Sequence, residues 1–337
     1  MSTVEGALSR AETVEHPPAE LYLEVTNRCN LKCRMCPQFW GMPEPDADLD
    51  LTQVLAIIEQ LPRLDRVVLH GVGESVLNPA LPDIVSAVKA RGAYTLMNSN
   101  GTILTRRRVE GLVTSGLDEL RVSIDAASPE TYEHVRGANA LHKLVRNLGV
   151  VQEVRAAHGS ESPRLSLWVM GLQESLHELP KVVELAAEVK VNEVYLQRLV
   201  TSDRGIARSD NSLYGADSSA LDPLVEAHRL ATELGVELKG SGNTTGEASV
   251  QLVDESAPWR GCRRPWSLMY VTANGNALPC CISVFTDTPH EELILGNVFE
   301  TSVDEVWNGE KYRRWRGAMM EGEPPKACKG CGVSWSL

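Results

Sequence analysis

Apolar and polar positions follow two alternating patterns between Leu21 and Leu199. Short runs rich in β-branched and aliphatic residues, typical of buried strands, occur at LYLEV, RVVLHG, TLMNSNG, ELRVSID, LSLWVMG and EVYLQRLV. Segments with helical periodicity lie between them. In LPDIVSAVKARG, for example, Pro82 falls in the first turn and Gly92 follows the last. Strands that alternate with helices predict repeated βαβ units and a parallel α/β sheet of about six strands.

The sequence divides into four segments. Residues 1–18 form an N-terminal tail, and residues 19–202 contain the alternating strands and helices. Residues 203–258 are rich in Gly, Ser and Asp around one helical stretch, LDPLVEAHRLATELG, and we interpret them as a bridge. Residues 259–337 carry five cysteines and are predicted to form a second, smaller α+β unit.

Composition narrows the class of protein. The chain has 337 residues and a net charge of -12, which argues against binding along a nucleic acid backbone. It has no apolar run of about 18 residues, so we expect no membrane span, and its polar N-terminus is unlike a secretory signal. Close cysteine spacing in a chain of this size favours metal clusters over disulfides. We therefore expect the protein to be located in the reducing cytoplasm.

Three cysteines near the N-terminus have the spacing CxxxCxxC: Cys29, Cys33 and Cys36, in NRCNLKCRMCPQ. Three thiolates on one loop suit three irons of a four-iron, four-sulfur cube, which leaves the fourth iron open to another ligand. The run, placed just after a strand, resembles the signature of the radical S-adenosylmethionine (SAM) superfamily. That resemblance implies a partial (β/α)₆ barrel and a SAM molecule that chelates the open iron through its amino and carboxylate groups.

HGVGES, which follows the second predicted strand, resembles the GGE motif of that superfamily. The resemblance implies that the edge at Gly73 and Glu74 accepts the SAM amino group; Ser75 stands where Pro is usual. Glycines let a backbone approach a ligand closely. We expect substitution of Glu74 to weaken SAM binding rather than fold stability, because we place this residue in a loop.

Three further motifs follow later strands: Asn100 in SNG, Ser123 and Asp125 in SID, and Arg136 in SPETYEHVRG. By resemblance, Ser123 and Asp125 bind the ribose hydroxyls and Arg136 faces the SAM carboxylate, to which a guanidinium fork is well suited. We expect Arg136, like Glu74, to affect SAM binding rather than stability. For Asn100, Ser123 and Asp125, ordinary turn and cap chemistry is the alternative.

The second cysteine group resembles the SPASM/twitch extension of radical SAM enzymes. It has fewer cysteines than a full SPASM domain, so we expect the twitch form with one auxiliary [4Fe-4S] cluster, on Cys262, Cys280, Cys328 and Cys331. A structural zinc site on the same thiolates is the alternative. Cys281 is left over and is either an inert buried thiol or a catalytic hydrogen-atom donor to a substrate radical.

The resemblance implies two [4Fe-4S] clusters, reductive cleavage of SAM to a 5′-deoxyadenosyl radical, and an electron donor such as flavodoxin or ferredoxin. The chain looks most like the aminocyclitol (2-deoxy-scyllo-inosamine) dehydrogenase type of antibiotic biosynthesis, so we expect oxidation of a small hydroxylated, sugar-like substrate. Redox-neutral epimerisation or decarboxylation, peptide modification, and a non-catalytic iron-sulfur scaffold are alternatives. Glu174, Gln197 and Arg198 follow strands and are candidates to face the substrate.

Overall fold

The computed structural model describes residues 10–214, 216, 221–242, 244–250, 257–329 and 331. Residues 1–9 of the predicted tail, parts of the predicted bridge, and residues 330 and 332–337 of the predicted C-terminal unit lie outside the described residues. None of the predicted site residues falls among them.

The strands, in chain order, are β1 Glu20–Leu23, β2 Arg66–Leu69, β3 Tyr94–Ser99, β4 Glu119–Ser123, β5 Arg164–Gly171, β6 Glu193–Arg198, β7 Glu237–Gly240, β8 Thr244–Thr245, β9 Leu268–Val271, β10 Asn276–Leu278 and β11 Gly296–Asn297. They form one sheet with the order β11-β10-β9-β1-β2-β3-β4-β5-β6-β7-β8. Strands β1 to β6 are parallel neighbours in sequence order, which confirms the predicted α/β fold. The sheet is not a closed barrel, since β8 and β11 are its two edges.

The sheet extends beyond the six predicted strands on both sides. The predicted bridge contributes β7, which pairs in parallel with β6. The C-terminal unit contributes β9, which pairs in parallel with β1, so that this unit continues the sheet instead of forming a separate one.

The helices are α1 Pro37–Trp40, α2 Leu51–Ile58, α3 Leu81–Ala90, α4 Arg106–Thr114, α5 Pro129–Arg136, α6 Leu141–Ala157, α7 Leu179–Glu188, α8 Asp222–Leu234, α9 Gly246–Val250, α10 Arg264–Ser267, α11 His290–Leu293, α12 Val303–Trp307, α13 Glu310–Glu321 and α14 Lys326–Lys329. Alternation along each strand separates the two faces of the sheet. Leu21 and Leu23 of β1 are fully buried in the main hydrophobic core, and Tyr22 between them is also buried there but borders a cavity. The face of the sheet on which Tyr22 lies, called the inner face here, therefore borders a cavity that other side chains can also line.

Ion pairs connect the strands at the N-terminal end of the inner face. Glu119 contacts Arg121 at 2.6 Å and Arg164 at 2.9 Å. Glu193 contacts Arg164 at 2.8 Å and Lys239 at 3.0 Å. These pairs bridge β4, β5, β6 and β7, and the opposite, C-terminal ends of the strands hold the cysteine motif and the other predicted SAM-site residues.

The part of the tail that is described packs on the C-terminal unit. Arg316 of α13 is fully buried; its Nε donates to the Pro265 carbonyl at 2.7 Å and its Nη1 to the Glu12 carbonyl at 3.0 Å. Trp307 Nε1 donates to the His16 carbonyl at 3.0 Å. These hydrogen bonds attach the N-terminal tail to the C-terminal unit.

Candidate active site

The CxxxCxxC cysteines lie in the loop that follows β1. Cys29, Cys33 and Cys36 are free thiols and border one cavity of about 170 Å³. Backbone hydrogen bonds hold the loop in place, from Arg34 N to the Val135 carbonyl at 3.0 Å among others. The structure therefore brings the three predicted ligands of the N-terminal cluster together around one space.

Burial suppresses ionisation of these thiols. It raises the pKa of Cys29 to about 11 and that of Cys36 to about 12, and it raises the pKa of Cys33 as well. Bound iron would supply the positive charge that stabilises their thiolate forms. Among the described residues, no three His, Cys, Asp or Glu side chains converge closely enough to hold a single metal ion.

The GxGE segment packs directly on the cysteine loop. A Cβ at Gly73 would lie 2.0 Å from the Thr26 carbonyl oxygen, so only glycine allows this approach. Glu74 N donates to the Arg28 carbonyl at 2.8 Å. The motif that resembles GGE therefore lies beside the cluster loop, where the resemblance requires it.

The Glu74 carboxylate is itself buried and accepts hydrogen bonds from the end of β3. Ser99 Oγ donates to it at 2.8 Å, and Asn100 N at 2.6 Å. Burial raises the pKa of Glu74 above its ordinary value despite these bonds. The expectation that Glu74 affects SAM binding but not stability does not fit these contacts, because its removal would leave buried donors without an acceptor.

Arg136 is the last residue of α5 and is buried, so it does not lie in a loop as we expected. Its Nε is 3.2 Å from Asp125 Oδ2, and its Nη1 donates to Cys33 Sγ at 3.5 Å. Its Nη2 is buried and has no hydrogen-bond partner among the described residues. That donor, beside the cluster loop, fits the carboxylate of a chelating amino acid such as the methionine part of SAM.

Asp125 adopts a left-handed backbone conformation with φ of 62°. Its Oδ1 accepts from Met170 N at 2.7 Å, so this side chain holds the ends of β4 and β5 together. Ser123 and Asn100 border the same cavity. The six residues predicted to bind SAM thus surround one space, and their individual contacts to it stay predictions.

A second cavity, of about 50 Å³, continues from the first into the sheet. Six residues border both spaces: His70, Asn98, Trp168, Gln197, Val200 and Phe285. Trp168 and Tyr195 stack in its wall with ring centroids 4.1 Å apart. Cys281 borders this second cavity and is buried, which raises the pKa of its thiol to about 11.

The four remaining cysteines surround a third, smaller cavity. It is bordered by Cys262, Cys280, Cys328 and Cys331 together with mostly apolar side chains and with Arg264 and Ser283. Burial raises the pKa of Cys331 to about 12, as expected for thiols that ionise only when a cation binds. The donor set and its enclosure therefore fit an auxiliary iron-sulfur cluster.

Arg264 and Ile282 border both the second and the third cavity. The second cavity therefore lies between the space beside the CxxxCxxC cysteines and the space beside the C-terminal cysteines. Of the strand-end candidates, Gln197 and Arg198 border it. Glu174 does not, and it lies 3.4 Å from His134 instead.

The sequence patterns gave no role to five residues that border the second cavity: His70, Asn98, Arg121, Trp168 and Arg264. A signal for three of them was available, because residues two positions apart on a strand face the same side. Asn98 precedes Asn100 by two, and Arg121 precedes Ser123 by two. His70 follows Val68 of β2 by two, and Val68 also borders the second cavity.

Comparisons with known proteins agree with this arrangement. A family model described as the radical SAM superfamily matches residues 23–186, and one described as an iron-sulfur cluster-binding domain (SPASM) matches residues 262–332. None of the described helices has both the length and the apolar character needed to cross a membrane.

Similar proteins span most of the chain. A tungsten-containing aldehyde ferredoxin oxidoreductase cofactor-modifying protein from Pyrococcus furiosus is 26% identical over 88% of this chain and 82% of its own. A PqqA peptide cyclase from Gluconobacter oxydans is 25% identical over 96% and 86%. The structure of Streptococcus suis SuiB bound to precursor peptide SuiA superposes with a TM-score of 0.68 at 16% identity, over 94% of this chain and 77% of SuiB.

Proposed function

Because the chain carries a radical SAM domain and a C-terminal SPASM domain, we propose that it oxidises a small hydroxylated metabolite by hydrogen-atom abstraction. The radical SAM domain implies a [4Fe-4S] cluster and SAM, and the SPASM domain implies auxiliary clusters. Four of the five C-terminal cysteines surround one space, which supports a single auxiliary cluster. A flavodoxin or ferredoxin is the proposed electron donor.

When bound, the reduced N-terminal cluster and SAM supply a 5′-deoxyadenosyl radical that takes one hydrogen atom, and an oxidised auxiliary cluster supplies an acceptor for one electron. Around the first cavity, Arg136 would bind the SAM carboxylate and Ser123 the ribose. Glu74 would orient the end of β3, because its carboxylate accepts hydrogen bonds from the Ser99 hydroxyl and from the Asn100 backbone N–H.

The position of the second cavity carries this proposal. It shares six bordering residues with the cavity of the CxxxCxxC loop and two with that of the auxiliary cysteines. A substrate placed there would be near both the source of the radical and a site that can take up an electron. Oxidation needs both, whereas a redox-neutral reaction needs only the first.

His70 is the proposed proton acceptor. It borders both the first and the second cavity, and burial together with the nearby Arg121 charge lowers the pKa of its imidazole to about 4. The ring is therefore neutral at physiological pH and has a nitrogen lone pair for the substrate hydroxyl, but it is a weaker base than an ordinary imidazole. The substrate carbon would lose a hydrogen atom, its hydroxyl would lose a proton to His70, and one electron would leave, which gives a ketone.

Cys281 supports a second candidate function, redox-neutral epimerisation. Its thiol borders the same cavity and could return a hydrogen atom to the substrate radical from the side of the auxiliary cysteines.

A peptide is a further substrate class, suggested by the names of the similar PqqA peptide cyclase and of SuiB with its precursor peptide. The second cavity, at about 50 Å³, favours a small substrate or a single side chain.

Product analysis separates these outcomes. A metabolite that accumulates when the gene is deleted would be incubated anaerobically with reconstituted enzyme, reductant and SAM in heavy water. Oxidation predicts a product lighter by two hydrogens, formed with one 5′-deoxyadenosine per turnover. A product of unchanged composition with solvent deuterium on carbon would instead establish epimerisation and refute the proposed oxidation.

A further inference from the structure

We propose that Glu24 is a positioning residue that couples the GxGE segment, the proposed site of the SAM amino group, to the C-terminal unit. The inference goes beyond the proposed oxidation and rests only on the part of the proposed function that places SAM in the first cavity. Glu24 follows β1 directly, and its side chain is 2% exposed. Neither the sequence motifs nor the proposed reaction gives this carboxylate a role.

The two oxygens of the Glu24 carboxylate accept hydrogen bonds from two different parts of the molecule. Oε1 accepts from Val72 N at 2.8 Å, in the GxGE segment that borders the first cavity. Oε2 accepts from Ala273 N at 3.3 Å, in the turn between β9 and β10 of the C-terminal unit. One buried side chain therefore connects the segment proposed to bind SAM with the unit that carries the auxiliary cysteines.

Gly71, the first glycine of the GxGE segment, provides the space for this contact. A Cβ at Gly71 would lie 2.3 Å from both Cγ and Oε1 of Glu24, so the carboxylate occupies the place that a side chain would fill. Glu24 itself lies outside the lining of the first cavity. It can therefore act on bound SAM only through the GxGE segment, which is the meaning of a positioning role.

A small cavity of about 30 Å³ adjoins this carboxylate and is bordered by Glu44 as well. Glu44 accepts from Asn276 Nδ2 at 2.8 Å and from Asn274 Nδ2 at 3.0 Å. Its Oε1 also lies 2.8 Å from His290 Nε2. These three partners all belong to the C-terminal unit, so a buried polar cluster forms the contact between that unit and the part of the chain around the cysteine loop.

Glu24 changes its charge near neutral pH. Burial raises its pKa to about 7; the hydrogen bonds from Val72 and Ala273 oppose this shift, and the nearby Glu44 charge adds to it. An ionised carboxylate accepts through both oxygens, whereas a protonated carboxyl carries a hydrogen on one of them. Because protonation weakens one of the two links, the GxGE segment should be held best above pH 7.

Three of the other titratable groups that face Glu24 keep one charge state across this range. Tyr270 of β9 stays neutral, because burial and the Glu24 charge raise its pKa above its ordinary value. The register of β1 and β2 places His70 beside Glu24, and burial lowers the pKa of His70 to about 4. Burial acts to raise the pKa of Glu44, but hydrogen bonds, first that from His290, lower it overall. His290 contacts Glu44, and a variant of its own separates its effect from that of Glu24.

Binding of SAM at two pH values tests the inference without any substrate. Equilibrium dialysis of the anaerobically reconstituted enzyme, without reductant, would compare wild type with Glu24→Gln, which has the shape of the protonated carboxyl. We expect the variant to bind SAM about five- to tenfold more weakly at pH 8, as for the loss of one hydrogen bond to a charged group, and within about twofold of wild type at pH 6. Titration of the SAM amino group affects both proteins equally.

Control variants assign the effect to Glu24. His290→Gln should keep the wild-type pH dependence, and Glu110→Gln, at an exposed position of α4, should bind SAM like the wild type at both pH values. Iron content and circular dichroism of each variant show whether clusters and fold persist. A ratio of the Glu24→Gln and wild-type dissociation constants that is the same at both pH values would overturn the inference, as would a pH dependence that His290→Gln removes.

Hydrogen–deuterium exchange of the wild type tests the coupling even if Glu24→Gln fails to fold. Peptides that cover residues 271–276, which lie outside the lining of the first cavity, should exchange more slowly at pH 8 once SAM is bound. Unchanged exchange in these peptides with SAM bound would overturn the inference.

Failure of the inference and failure of the proposed oxidation are distinguishable. The dialysis and the exchange measurement need SAM but no substrate, so their results do not depend on whether the product is a ketone or an epimer. The oxidation is judged separately, from the composition of the product. A wild-type enzyme that binds no SAM would contradict the SAM site itself, and with it this inference.

Discussion

Replacing Glu74 by Ala tests whether this residue stabilises the structure of the site in addition to supporting SAM binding. The side chain is 2% exposed and accepts from Ser99 Oγ at 2.8 Å and Asn100 N at 2.6 Å. Each buried donor that loses its acceptor costs about 1–3 kcal/mol, so the loss of the acceptor for two donors should lower the free energy of unfolding by about 2–6 kcal/mol. That decrease is a large part of the total stability of a typical protein.

Urea unfolding of the cluster-free protein, followed by circular dichroism, measures this loss in the absence of SAM. Glu110→Ala, at an exposed position of α4, is the matched control and should change the free energy of unfolding by less than about 0.5 kcal/mol. SAM affinity of the reconstituted variant should also fall, since Glu74 N and the carboxylate join the cysteine loop to β3. If stability equals that of the control variant while SAM affinity falls, the structural role assigned to Glu74 is wrong.

Three further predictions concern the cysteines and the proposed base. The triple variant Cys29→Ala, Cys33→Ala, Cys36→Ala should retain about four of about eight irons after anaerobic reconstitution; eight retained irons would contradict the ligand assignment. The pKa of His70 falls from 6.5 to about 4 on folding, so wild-type stability should decrease as pH falls from about 6.5 towards 4, and His70→Gln should flatten that part of the unfolding profile. A profile with the same slope in both proteins would contradict the neutral, buried imidazole. Cys281→Ala should form product at nearly the wild-type rate if the reaction is an oxidation; loss of turnover with both clusters intact would favour hydrogen donation by its thiol.

The sequence was sufficient for features encoded locally. The six strand patterns correspond to β1–β6, and the predicted helix begins at Leu81, with Pro82 in its first turn, and ends at Ala90, two residues before Gly92. The CxxxCxxC spacing and the strand-end motifs predicted residues that do border one cavity. The strand predictions succeeded because each depends on spacing within a few residues or on the alternation of faces along one strand, whereas the roles of the site residues stay predictions.

The remaining features depend on contacts between distant segments. The short strand at 237–240 has only four residues and gains its pairing from β6, so its own pattern is weak. The second cavity combines Tyr22, Arg121 and Cys281, which come from β1, β4 and the C-terminal unit. Their proximity follows from β9 pairing with β1, a long-range contact that no local pattern encodes.

The proposed site for Arg136 illustrates the same limit. Its motif was found, but its place at the end of a helix, in contact with Asp125 and Cys33, was not. A buried arginine of this kind requires three segments to meet. The kind of group that Arg136 supplies was therefore predictable from its motif, whereas its burial and its contacts with Asp125 and Cys33 were not.

We infer that the site beside Cys29, Cys33 and Cys36 supports reductive cleavage of SAM when its cluster is bound. The most direct test is chromatography of SAM products from anaerobically reconstituted protein supplied with dithionite, compared with Cys33→Ala treated in the same way. We expect this cleavage to give 5′-deoxyadenosine and methionine in equal amounts from the wild type and neither above background from the variant. Wild-type protein with a full complement of iron that forms no more 5′-deoxyadenosine than Cys33→Ala would contradict it.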